Sequence, residues 1–154
     1  MTEFKDKVKV TGVVKIVLRG PDGQVKETRE ITNLVVDTGL AFMVSRMVGT
    51  SKAVMSHMAL GSGTTAAAGG QTDLISILGA RQPLTSATIN GTKNEKVTYS
   101  TTFGAGVGTG AVTEAGVFNA LTSGDMLARV VFPVVNKQGG DTMGIDWTLT
   151  QAAV

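Results

Sequence analysis

His57 is the only histidine among 154 residues, so any imidazole chemistry must centre on it. It lies in the apolar run VMSHMAL (54–60), which reads as a buried strand. A zinc site needs three or four ligands at suitable spacing, and His57 has no such partners along the chain. A Ser-His-Asp triad needs its serine on a strained turn. No G-x-S-x-G is present, and Gly61-Ser62-Gly63 reads as part of a flexible loop, GSGTTAAAGG at 61–70. His57 is therefore expected to be a hydrogen-bonded structural residue. The acids are scattered singly. Glu114 falls on the row Val112-Glu114-Gly116-Phe118, where a carboxylate on a partly apolar face should pair with a backbone amide, with Arg129 or with a neighbouring subunit. General acid catalysis by paired carboxylates needs a second one in reach, and the sequence offers none. Gly104 to Gly110 (GAGVGTG) contains G-x-G-x-G, but a dinucleotide site needs a helix after it and an acid about 20 residues on. A second strand follows instead. No catalytic residue, cofactor ligand or metal ligand is expected.

The elements that must carry these residues are mostly strands. Residues 7–19 alternate, with Val8, Val10, Val14, Ile16 and Leu18 on one side and Lys7, Lys9, Thr11, Lys15 and Arg19 on the other. Period two over this length predicts a half-buried strand. Gly12 interrupts the apolar row and suggests a bulge or bend. Pro21-Asp22-Gly23 is a tight-turn signal, and 24–32 returns as a polar strand, so 7–32 reads as a long hairpin. One helix is predicted at 38–48, capped by Asp37 and stopped by Gly49. Its Leu40, Met43, Val44, Met47 and Val48 should face the sheet as core filler. Residues 72–78 suggest a short helical turn. Further strands are predicted at 83–89, 95–103, 110–119, 126–136 and 142–150. Met126, Ala128, Val130, Phe132 and Val134 form one row, and Met143, Ile145, Trp147 and Leu149 another. Tyr99 and Trp147 lie on apolar rows and are expected in the core. Many short strands joined by Gly-rich turns predict a mainly β, single-domain antiparallel β-sandwich over 1–154, jelly-roll-like or a small barrel, with one packed helix. Residues 1–32 form an N-terminal strand and hairpin arm suited to contacts.

Charge narrows the partners. Charged residues are 17% of the chain, against about 25% in typical domains, which suggests a surface partly covered by other proteins. Residues 1–30 hold seven Lys/Arg and five acids, an excess equal to the whole net charge of +2. That is too weak for the concentrated basic stripe of a nucleic-acid binder, and the aromatics number only five Phe, one Tyr and one Trp. Lys5, Lys7, Lys9, Lys15 and Arg19 fit better as a mildly basic edge meeting an acidic protein surface. There is no cysteine, so disulfides and thiolate metal sites are excluded. No apolar run approaches the roughly 20 residues of a membrane span, and MTEFKDKVKV is not a signal peptide. Synthesis in a cytoplasm is expected.

From about residue 54 to 150, three segments carry a combined pattern: MSHMALGSGTTAAAGGQTDL, VTYSTTFGAGVGTGAVTEAGVFNA and MLARVVFPVVNKQGGDTMGIDWTLT. Reduced to ALGxGTT, TFGAGxGTGxxTEAGxFNA, MLARxVF and DxxxIxWTxT, it resembles small virion proteins of tailed phages. These include capsid decoration (cement) proteins and tail or collar-fibre components. The resemblance implies a non-enzymatic virion structural protein. On a capsid surface it would bind the major capsid protein as a homo-oligomer, with a trimer suiting the local threefold points. On a tail or collar it could bind host glycans. Neither reading involves nucleic acid, membrane or cofactor.

Overall fold

The computed structural model describes residues 5–49 and 52–154. Among these, ten strands and one helix build two antiparallel five-stranded sheets that pack face to face as a sandwich. The strands are β1 (Val8–Arg19), β2 (Val25–Thr32), β3 (Leu34–Val35), β4 (His57–Gly61), β5 (Gln82–Pro83), β6 (Ser86–Asn90), β7 (Lys96–Phe103), β8 (Gly110–Phe118), β9 (Met126–Lys137) and β10 (Thr142–Ala153), and the helix is α1 (Asp37–Arg46). The first sheet runs β2-β1-β10-β7-β6 and the second β3-β9-β8-β4-β5. The two stay separate, with their own edges, so the small-barrel form of the expectation is not the one adopted.

The core lies between the sheets. Val14, Ile16 and Leu18 of β1, Trp147 and Leu149 of β10, and Tyr99 and Phe103 of β7 meet Leu60, Val117, Val130 and Phe132 of the second sheet. The alternation that predicted β1 holds where the second sheet covers it, but Val8 lies beyond that cover and is 69% exposed. The hairpin 8–32 is integral to its sheet: β1 pairs along its whole length with β10 and lies inside β2. Gly12 marks no bulge in the β1–β10 ladder. It is small because Asn33 packs on it; a Cβ there would meet Asn33 Oδ1 at 1.5 Å.

Two other rows break at irregularities. Between Val112 and Glu114 the β8–β9 register shifts by a bulge that includes Pro133, where a residue lacking an N–H is tolerated. Val112 points into the central core, whereas Phe118 joins a second cluster with Val36, Ala59, Leu74 and Met126. Val134 is correspondingly exposed. A second shift at Val117/Phe118 takes Met126 out of the Ala128–Val130–Phe132 row and into that outer cluster.

Helix α1 departs most from expectation. It ends at Arg46, its N-cap is Val36 without a side-chain cap, and Asp37 is its first residue. The Asp37 amide instead donates to Gly69 O at 2.9 Å. The buried helix residues are Gly39 and Phe42. A Cβ on Gly39 would come within 2.0 Å of Leu127 O, and Thr38 Oγ1 donates to Met126 O at 2.6 Å. The bare glycine backbone lets α1 lie directly on β9, and Phe42 follows three residues later on the same face. Leu40, Val44 and Met47 are turned outward as a result, with Met47 83% exposed, and Val48 beyond the helix is exposed as well. Only Met43, half-buried, packs against the core. Gly49, at φ +63, follows the helix in the left-handed region, as a stop signal should.

Candidate functional site

The buried charges of this fold hold loops. Glu114 on β8 and Arg129 on β9 are diagonal neighbours, Glu114 being in register with Val131 and Arg129 with Gly116, and both are fully buried. Arg129 Nε donates to Glu114 Oε2 at 2.9 Å, and Nη2 lies 2.8 Å from the same oxygen, a charge contact out of hydrogen-bond alignment. Glu114 Oε1 accepts from the amides of Gly63 and Ser76 at 3.0 and 2.8 Å, and Oε2 from that of Ile75 at 3.1 Å. Arg129 Nη1 donates to Thr65 O and Gln71 Oε1, both at 2.9 Å. With both oxygens engaged, this carboxylate staples the connection 62–78 to the outside of the second sheet. Residues 62–70 form the irregular connection expected, here pinned at Gly63 and Thr65, whereas 72–78 is not the helical turn expected: it runs in bends, with the amides of Ile75 and Ser76 turned toward Glu114.

Arg81, which no local pattern marks, is buried beside this staple. Its guanidinium stacks 3.6 Å from the Phe118 ring centroid and donates through Nη1 to Ala120 O and Ser123 O at 2.9 and 2.7 Å. A second unforeseen cluster closes one end of the sandwich. Lys137 Nζ, buried, donates to Gly104 O and Asp141 O, both at 2.8 Å, tying the glycine connection 104–110 to the β9–β10 turn. Burial pushes the Lys137 ammonium below the usual lysine range, against the opposing pull of Asp141. Asp141 accepts from Lys26 Nζ at 2.8 Å and from the Gln138 amide at 2.9 Å. The first of these, aided by the second, holds its carboxyl below the usual aspartate range despite desolvation. No reading of the sequence pointed to this cluster.

His57 is half-buried at the start of β4, with Nδ1 2.7 Å from Ser56 Oγ. No carboxylate is hydrogen-bonded to its ring among the described residues, and no group of three or more His, Cys, Asp or Glu could hold a metal there. Tyr99 and Trp147 are core residues in register with each other, and burial raises the Tyr99 phenol above its usual range.

The five basic residues do not form one cluster. Lys9, Lys15 and Arg19 project from the outer face of β1, and Lys9 and Arg19 are roughly 33 Å apart at strand rise. Lys15 is in register with Glu30 on β2 and Asp146 on β10, so acids flank its charge. Arg19 Nη1 is turned onto Gly23 O of the hairpin at 3.1 Å. Lys5 and Lys7 precede β1, exposed, at the same end as Lys9. At that end the outward face of α1 meets the start of β1. Val8, Val10, Leu40, Met43, Val44, Met47 and Gln151 line an open apolar depression of about 440 Å³. An exposed apolar patch of this kind, rimmed by polar residues, is the usual mark of a contact surface.

No family model, curated protein or solved structure matches this chain.

Proposed function

We propose that this chain is a non-enzymatic structural protein of a tailed-phage particle: a capsid cement protein on the head surface that binds the major capsid protein lattice as an oligomer. The observation that carries this reading is the apolar end formed by α1 and β1. Leu40, Val44, Met47 and Val8 stand in solvent, beside Lys5, Lys7 and Lys9. Fully burying a side chain of this kind is worth roughly 1.5–3 kcal/mol, and the exposed fraction of each forgoes its share of that. A partner surface with an apolar centre and acidic rim would recover it, and the lysines would set orientation and encounter rate more than affinity.

A second reading has one observation in its favour. On the outer face of the first sheet, Gly144 leaves a shallow depression of about 340 Å³ lined by Ser100, Thr102, Thr142, Arg19 and Asp146. Hydroxyls with one acid and one base suit a sugar, which favours a tail or collar protein bound to a host glycan. Copy number separates the two. Gel densitometry of purified virions against the major capsid protein should give many copies per head, and virions lacking the chain should burst at lower temperature. A few copies per particle, with intact heads and lost adsorption on deletion, would favour the second reading.

A further inference from the structure

Two open sheets present four edges. An unpaired edge invites pairing with another chain, and natural proteins blunt such edges with charge, proline or brevity. Three of the four are blunted here. β2 carries Lys26, Glu27, Arg29 and Glu30, β3 has two residues, and β5 has two residues including Pro83. The fourth, β6, has five residues (Ser86-Ala87-Thr88-Ile89-Asn90) with neither charge nor proline. It pairs with β7 on one side, and among the described residues no strand lies on the other. Ile89 is opposite the core-facing Val97, yet 72% exposed.

We propose that β6 is a strand-addition edge and that its occupant is β6 of a second copy of this chain, antiparallel about Thr88. Three observations select that occupant. First, the strand is self-complementary. With Thr88 facing Thr88, Ser86 meets Asn90 and each Ile89 meets Ala87 of the other copy, a large side chain against a small one on the same face. Such facing pairs are the unit of sheet stabilisation. Second, the space is there. A groove of about 360 Å³ opens beside Ala87, lined by Phe42, Val54, Met55, Val97 and Tyr99 among others. It lies on the face where the incoming Ile89 arrives. Third, β6 brings no like charges together, whereas a charged strand such as β2 would find no counter-charge on it. On the outer face, Thr148, Thr98 and Thr88 already form a row across three strands, with Thr98 and Thr148 hydroxyls 2.9 Å apart. The two-fold would continue that row into the second copy. An isologous contact of this kind closes on itself as a dimer. The pairing holds equally for a head or a tail protein, so it stands apart from the functional proposal.

Sedimentation velocity on the full chain over a range of concentrations tests it. The wild type should pass from monomer to dimer as concentration rises. Thr88→Lys and Thr88→Glu change an exposed side chain, so wild-type circular dichroism is expected of both. Each alone should lose the dimer at concentrations where the wild type has it, because like charges then face each other. An equimolar mixture should regain it as a heterodimer. A wild-type monomer at every concentration, an oligomer that Thr88→Lys leaves unchanged, or a mixture that stays monomeric would each overturn the pairing. A trimer insensitive to Thr88→Lys would do so while leaving the cement reading intact.

Discussion

Glu114→Gln keeps the shape of the buried staple and removes its charge, leaving the Arg129 guanidinium without a counter-ion. Breaking a buried pair from one side costs about 3–5 kcal/mol, and chemical denaturation should show a loss of that size. Limited proteolysis should also cut first within 62–78, because the amides of Gly63, Ile75 and Ser76 are held by that carboxylate. Asp141 sets an acid limit. Its folded form binds a proton more weakly than the unfolded chain, so its contribution is complete above the ordinary value of 3.8 and lost as pH falls below it. Thermal midpoints measured down through that range should fall for the wild type and fall less for Asp141→Asn. At this scale the sequence showed part of the answer. An acid on a half-apolar row needs a partner, and Arg129 was a candidate from that fact alone. Arg81, Lys26 and the Lys137–Asp141 cluster were not legible. Their partners are backbone carbonyls, an aromatic face and acids that only the closed loops bring near, as when Lys26 meets Asp141 115 positions along the chain.

Alternation predicted the strands well because one face of each is covered, and the central rows Val14–Leu18 and Met143–Leu149 behave accordingly. It failed at bulges, where the phase of a row changes without any change in composition. Val112 and Phe118 were read as one row, and the register shift sends them to different clusters. The helix failed for a related reason. Its most apolar stripe was assigned to the core, but the closest approach to β9 is made by Gly39, which has no side chain for a hydropathy pattern to count. Two substitutions, one within α1 and one at its C-cap, separate these faces. Gly39→Ala drives a methyl against the Leu127 carbonyl, a contact that backbone cannot relieve, and overpacking of this kind costs about 1–3 kcal/mol or more. Met47→Lys, on the exposed stripe, should stay within about 0.5 kcal/mol. Paired urea titrations check both, and the opposite ranking would mean that the helix packs through Met47.

At the scale of the whole molecule, rigidity and exposure divide the chain. Buried ions pin the connections 62–78 and 104–110, while apolar side chains collect at the α1–β1 end and on the β6 edge. The fold class was legible in the spacing of strands and turns. The contact surfaces were not, because exposure belongs to the packed arrangement and a leucine in an amphipathic pattern carries no sign of which way the helix will roll. Co-sedimentation of the purified chain with capsids lacking it tests the proposed role most directly, using wild type beside the double variant Val44→Glu/Met47→Glu. The wild type should pellet and saturate at a fixed ratio to the major capsid protein, and the folded double variant should stay in the supernatant. A wild type that leaves the capsid bare, or a double variant that binds as well as the wild type, would contradict a cement role built on that apolar end.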